Sequence, residues 1–396
     1  MAGVAVIGAL STGRSGWVWD PASADEQLAA ACRDLEAGRF GLAREALVAT
    51  REDFATRARR SMVMASVAAA GEGEAARHWL REAPEDPDAV LLWARTAVVL
   101  ALRSLRVRDA WTQLAVRACS EAAAAFPADP TPWVALLMLA RLGVFPRVTV
   151  REGWAAYWAR HEPLGPREHP DHLDARWRRR VARGLGGHDQ HWPPPSRAAH
   201  NRVEVAAEQL GLISARGPWE LMLEVWARDP RSREGHHRML ECLSPRCGGS
   251  ARAMTQFATF VVLAAPDDDP LQLLPLSARV EAYRAAQQDD EAERVVWTEK
   301  RVCVNAYFDW FLPLRKGGGP LPVTDCSLLA HALYMAGERT FAGAVIEAMR
   351  PYTAPYPWSV TDPQQDGAAG FIEAARALHV PAPRRLSGWE RRELSG

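Results

Sequence analysis

The chain has almost no lysine: Lys300 and Lys316 are the only two, and arginine supplies the rest of its 48 basic residues. It has no excess of either charge, because 48 acidic residues balance the basic ones. That balance removes the overall positive field that draws proteins onto nucleic acid or anionic lipid, so any partner must be recognised locally. Cysteine is sparse and scattered. Cys32, Cys119, Cys242, Cys247, Cys303 and Cys326 form no CxxC pair and lack the density of a secreted disulfide scaffold, which leaves buried reduced thiols as the expectation. No apolar run is long enough to span a membrane. The longest, Ala89 to Leu105, is interrupted by Arg95, Thr96 and Arg103, whereas a span requires roughly 20 apolar residues. The opening stretch Met1 to Leu10 is mildly apolar but has no basic region ahead of it, and it reads as no signal peptide. A soluble, cytoplasmic chain is the expectation, with no membrane partner.

Strand patterning is also missing, and helical periodicity fills its place. Leu28/Ala31/Cys32/Leu35, Trp133/Leu136/Leu137/Ala140, Trp219/Met222/Leu223/Trp226 and Met254/Phe257/Ala258/Val261 all follow the i, i+3, i+4, i+7 spacing that aligns side chains on one helix face. With 396 residues, 48% of them hydrophobic, the chain can bury a substantial core as two or three domains or as one extended repeat array. The arginine bias and abundant alanine point to a GC-rich bacterial genome.

Punctuation recurs along the chain. Asp-Pro occurs at Asp20-Pro21, Asp86-Pro87, Asp129-Pro130, Asp229-Pro230, Asp269-Pro270 and Asp362-Pro363, mostly just ahead of a helical segment. Asp before Pro is pushed to extended backbone angles, and its carboxylate can accept from free first-turn N–H groups. Two of the intervals are near 40 residues and two are nearer twice that or slightly more, the range of paired-helix repeats. Gly38, Gly71 with Gly73, and Gly337 each separate two helical patterns, as a left-handed cap between antiparallel helices requires.

Together these patterns resemble degenerate tetratricopeptide repeats, which implies an all-α fold of stacked antiparallel helical hairpins with irregular repeats, a TPR-like α-solenoid. A second resemblance is carried by Leu243-Ser-Pro245-Arg246-Cys247-Gly248-Gly249-Ser250, followed by Met254 and Phe257. It is similar to the Pro-Arg-Trp-Gly-Gly-Ser segment of an uncharacterised bacterial helical-repeat family, with Cys247 in place of Trp and a match over about residues 200–265. That family implies no known reaction. The segment is expected to be a structural corner, with Ser250 capping the next helix, rather than an anion-binding nest.

The expected organisation is an N-terminal arm over 1–24, a first helical-repeat block over 25–159, a Pro/His/Arg-rich connector over 160–200, a second block over 201–316, and a C-terminal helical hairpin and tail over 317–396. The connector holds Pro163, Pro166, Pro170 and the run Pro193-Pro194-Pro195.

Motifs that suggest chemistry fail on context. Gly8 to Ser15 matches a phosphate-cradling loop with Arg14 replacing its lysine, but Trp17 to Pro21 stops any helix that would present free N–H groups. His169/His172 and His188/His191 are HxxH pairs beside Asp171 and Asp189, yet Pro170 and nearby glycines place them in loops without a completing ligand. Arg176 to Arg180 with Arg183 and the interleaved Trp177 read as a solvated helix face. Of 16 tryptophans, Trp93, Trp133, Trp219 and Trp226 are expected in the core, and Trp177, Trp192 and Trp358 at a partner surface. His236 shares a face with Met239, Leu240 and Leu243. No catalytic, cofactor or metal residue is assigned, and the sequence leans away from an enzyme. The leading expectation is a protein-interaction scaffold that binds a protein or peptide, with self-association left open. The alternatives are a metal-dependent enzyme or metal-binding protein with its site in the His-rich connector, and a regulator contacting nucleic acid through the Arg cluster.

Overall fold

The computed structural model describes residues 17–104, 108–161, 204–286, 300–319, 321–361 and 367–383. The fold is all-α. The strands among the described residues are Val18–Trp19 (β1) and Tyr352–Thr353 (β2), paired parallel with Val18 opposite Tyr352. Two compact units are present, one from Ala30 to Pro266 and one from Asp267 onward together with the stretch ending at Ala29.

The helices up to Pro266 are α1 (Glu26–Glu36), α2 (Gly41–Val48), α3 (Phe54–Ala70), α4 (Glu74–Glu82), α5 (Pro87–Arg103), α6 (Arg108–Ala125), α7 (Thr131–Ala140), α8 (Val150–His161), α9 (Trp219–Arg228), α10 (Arg233–Cys242) and α11 (Ala251–Ala264). Residues 204–209 are also helical. All four periodic segments of the sequence fall on helices, and their core faces are buried, including Leu28, Leu137, Trp226 and Phe257. Trp93 and Trp219 are buried, while Trp133 is half-buried under the Arg228 guanidinium, 5.0 Å from its ring centroid.

The Asp-Pro dipeptides share one local geometry. Asp20, Asp86, Asp129, Asp229 and Asp269 each accept, through a carboxylate oxygen, the backbone N–H two residues on, at 2.8–3.1 Å. Proline has no N–H, so the residue after it offers the first donor in reach. Asp362-Pro363 lies outside the described residues. At the Gly71–Gly73 corner the left-handed positions are Glu72 and Gly73, at φ 57° and 80°, while Gly71 keeps φ −94°. The Leu243–Ser250 segment is a closed corner. Gly249 and Ser250 donate their amides to Ser244 and Leu243 carbonyls, both at 2.9 Å, and Ser250 Oγ accepts from Ala253 N–H at 3.0 Å. A Cβ on Gly249 would lie 1.9 Å from the Leu243 carbonyl oxygen, so only glycine fits. Those two amides are therefore spent inside the corner rather than offered to an anion.

Helices from before and after residues 160–200 share this unit's core. α8 packs on α9, α7 on both α9 and α10, and α10 reaches α3. In a simple solenoid each repeat touches only its sequence neighbours, and the α3–α10 contact departs from that. The structural division falls at Pro266–Asp267, inside the stretch 201–316. Proline and glycine density reports where helix stops, whereas a division between units reports where packing stops.

Two buried arginines organise the interior. Arg57 on α3 is fully buried and pairs with Asp88 and Asp129 at 2.6 Å each, and its Nη1 donates to the Leu47 carbonyl. Asp129 therefore caps α7 with one oxygen and holds Arg57 with the other. Arg95, an interruption in the apolar α5, pairs with Glu234.

The second unit contains α12 (Leu274–Ala286), α13 (Lys300–Ala306), a π-helical turn Tyr307–Phe311, α14 (Leu312–Lys316), α15 (Val323–Met335), α16 (Arg339–Ala348), α17 (Trp358–Thr361) and α18 (Gly367–Ala377). α15 and α16 form a hairpin turned at Gly337, φ 79°. Trp17 packs edge-on against Phe371 at 5.0 Å. Trp358 corrects a sequence expectation: it is 2% exposed, its indole N–H donates to Ser327 Oγ at 3.0 Å, and it meets Phe371 and His331 edge-on. The prolines around it shape the backbone turn, and that turn aims the ring into the core.

Candidate functional site

The first unit holds a cleft of about 420 Å³, within the range of small-ligand sites. Its position follows from the start of α8. Thr149 and Glu152 form a reciprocal capping box, Thr149 N–H to Glu152 Oε2 at 2.7 Å and Glu152 N–H to Thr149 Oγ1 at 3.3 Å. One turn in, Gly153 lets α8 lie against α9, since a Cβ there would come within 2.6 Å of Trp219 Cβ. Four and eight residues further along α8, Tyr157 and His161 follow on the same face, with ring centroids 4.4 Å apart. Facing them, α9 supplies Glu224 and Arg228 one turn apart. The apolar walls are Phe54 at the start of α3, Pro127 and Ala128 ahead of α7, and Ala227.

Glu224 anchors the polar side. Only 2% exposed, its carboxylate accepts from His161 Nε2 at 2.7 Å and from Arg228 Nη1 at 2.8 Å, with Arg160 Nη1 at 3.8 Å. Arg160 also pairs with Glu220. Arg228 Nε donates to the Pro127 carbonyl at 2.7 Å, tying α9 to the loop before α7. With its Nε2 proton given to Glu224, a neutral His161 keeps Nδ1 as an acceptor. His161 is 42% exposed, so that edge is reachable from solvent.

Tyr157 is 7% exposed and lines the cleft, and its hydroxyl makes no hydrogen bond among the described residues. Burial, and then the Glu224 charge, push its pKa up from the ordinary phenol value, so it remains a proton donor. Arg228 Nη2 likewise makes no hydrogen bond among the described residues. None of the lining residues is Ser, Thr, Cys or Lys. The chemistry these lining residues offer is hydrogen bonding and charge recognition.

Most sequence candidates fall elsewhere. Gly8 to Ser15, His169, His172, His188, His191, Arg176 to Arg183, Trp177 and Trp192 all lie outside the described residues. Among the described residues, no group of three or more His, Cys, Asp and Glu is placed to hold a metal ion. No helix among them is long and apolar enough to cross a membrane. His236 is a core residue. Trp226 Nε1 donates to its Nε2 at 3.0 Å, which places its proton on Nδ1, 2.7 Å from the Ser232 carbonyl. Sequence reasoning missed Tyr157, Glu224 and Arg228. The one available signal was a glutamate inside the apolar spacing Trp219/Met222/Leu223/Trp226, with an arginine four residues on.

The fold class is all-helical, in two units. No protein family, curated protein or solved structure matches the chain.

Proposed function

We propose that the protein is a helical-hairpin interaction scaffold, TPR-like in its pairing of helices, that holds a protein or peptide partner in the cleft between α8 and α9. The observation that carries this reading is the cleft itself. Four separate chain segments converge on it, its walls are apolar, and two donors, the Tyr157 hydroxyl and Arg228 Nη2, have no acceptor among the described residues. Both donors are open to solvent, and a partner that offers them acceptors while covering the apolar walls replaces water at both.

Affinity purification of the intact chain from its host tests the proposal, with Ala227→Trp as the variant that fills the cleft. A stoichiometric partner recovered with the natural chain and lost with the variant is the expected result. Recovery of the chain alone, or a partner indifferent to the filled cleft, overturns it. The same preparation separates the two alternatives: stoichiometric metal would favour a site among His169, His172, His188 and His191, and salt-sensitive nucleic acid would favour Arg176 to Arg183.

A further inference from the structure

We infer that the cleft between α8 and α9 recognises a carboxylate group attached to an apolar body, the chemistry found at the C-terminus of a polypeptide and in small apolar acids. The inference rests on the proposed cleft reading and adds the ligand class to it.

The donors decide the class. The Tyr157 hydroxyl and Arg228 Nη2 both lack acceptors among the described residues, and both belong to residues lining the cleft. Arginine beside a phenol is a pairing that suits a two-oxygen acceptor, since the planar guanidinium and the hydroxyl can each serve one oxygen. Tyr157 also stays protonated at neutral pH, because burial and Glu224 both oppose its ionisation. A cationic ligand is disfavoured by the Arg228 guanidinium, with Arg160 close behind it.

Glu224 is the apparent obstacle, since it is an anion in the same cleft. Its charge is already met: His161 and Arg228 hydrogen-bond its two oxygens, Arg160 stands at 3.8 Å, and Arg160 is shared with Glu220. Two arginines therefore face two glutamates, and the His161 imidazole adds a further donor to Glu224. The carboxylate of Glu224 orients the cations, and the ligand takes the donors it leaves. Phe54, Pro127, Ala128 and Ala227 then give the apolar body an apolar wall to cover.

Calorimetric titration of the full chain with N-acetyl-leucine, N-acetyl-leucinamide and 4-methylpentanoate tests this. Saturable binding of N-acetyl-leucine, with the amide at least tenfold weaker, is expected. Tyr157→Phe keeps the buried ring and removes only the hydroxyl, so it should fold normally and weaken the acid by roughly tenfold while leaving the amide unchanged. Tighter binding of N-acetyl-leucine than of 4-methylpentanoate assigns a polypeptide C-terminus, and equal binding assigns a small apolar acid. Equal affinity for acid and amide, no saturable binding of either acid, or indifference to Tyr157→Phe in a folded variant overturns the inference. A protein partner that is lost with Ala227→Trp but ignores both amidation of its C-terminus and Tyr157→Phe removes the carboxylate and leaves the cleft reading standing.

Discussion

Arg95 and Glu234 lie 139 residues apart in the chain and meet as a bidentate pair, Nη1 to Oε1 at 3.0 Å and Nη2 to Oε2 at 2.8 Å. The Arg95 side chain is fully buried, while Glu234 keeps a little exposure and is shared with Arg238. The pair joins α5, in the stretch before residues 160–200, to α10 beyond it. Such a pair is weak evidence for net stability, yet removing one partner leaves a buried charge exposed to no solvent and no countercharge.

Glu234→Gln is therefore expected to destabilise the first unit by about 3 kcal/mol, because Arg95 loses its counterion in the core. Arg95→Met combined with Glu234→Leu removes both charges and should recover much of that loss. Urea unfolding midpoints of the natural chain and the two variants check this. A single variant as stable as the natural chain would show that Arg95 does not depend on the pair.

Gly249→Ala should prevent the Leu243–Ser250 corner from closing, since the added Cβ meets a backbone carbonyl at 1.9 Å and neither atom can swing away. A loss of about 2 kcal/mol or more is expected. Gly248→Ala is the comparison: its φ is 79° but its Cβ position is open, so the cost is the left-handed penalty alone, roughly 1 kcal/mol. Thermal unfolding of the two variants should rank them in that order.

Stability should fall with acid over a defined window. Burial pushes His331 down to about 3, and burial together with Arg233, Arg238 and His236 pushes His237 well below its ordinary value. Both are neutral when folded, while the unfolded chain takes up their protons near pH 6.5, so the stability they support is complete above that value. It is lost as pH falls from about 6.5 toward their folded values, at roughly 1.4 kcal/mol per pH unit for each proton. Glu234 extends the trend. Burial alone would raise its carboxyl, but Arg95 and Arg238 hold it below the usual range, so its contribution is present above the unfolded glutamate value and lost below it. His331→Gln should flatten the slope of unfolding free energy between about pH 7 and pH 4; an unchanged slope would remove His331 from the account.

Thiol reactivity should separate the cysteines. Burial pushes the Cys119 thiol up to about 12, and burial raises Cys242 and Cys326 as well. Cys303 is fully buried, whereas Cys32 and Cys247 are half-buried. Native labelling with a thiol-specific disulfide reagent near pH 8 should modify Cys32 and Cys247 first, with the others reacting only on unfolding. Uniform fast labelling of all six would contradict the burial.

The parts of the fold legible in the sequence are those fixed by neighbours. An Asp carboxylate beside Pro has one donor within reach, so five Asp-Pro turns close the same way wherever they occur. Ser250 finds its own first-turn amide three residues on, and the 3.6-residue spacing buries Met254 and Phe257 together. These contacts span two to four residues, and the chain sets them before anything else packs.

Other features needed partners that the sequence does not identify. Trp358 reads as exposed among its prolines, and it is buried because Ser327 and Phe371 come to meet it. Arg95 reads as a flaw in an apolar helix and becomes half of an ion pair through Glu234. The cleft is more distant still: Phe54, Pro127, Tyr157 and Glu224 come from four segments, and their spacing along the chain carries no sign of convergence. Local backbone chemistry determined the helices and their caps. Which helices share a core, and which donors that core leaves without acceptors, was decided by packing among residues tens to hundreds of positions apart.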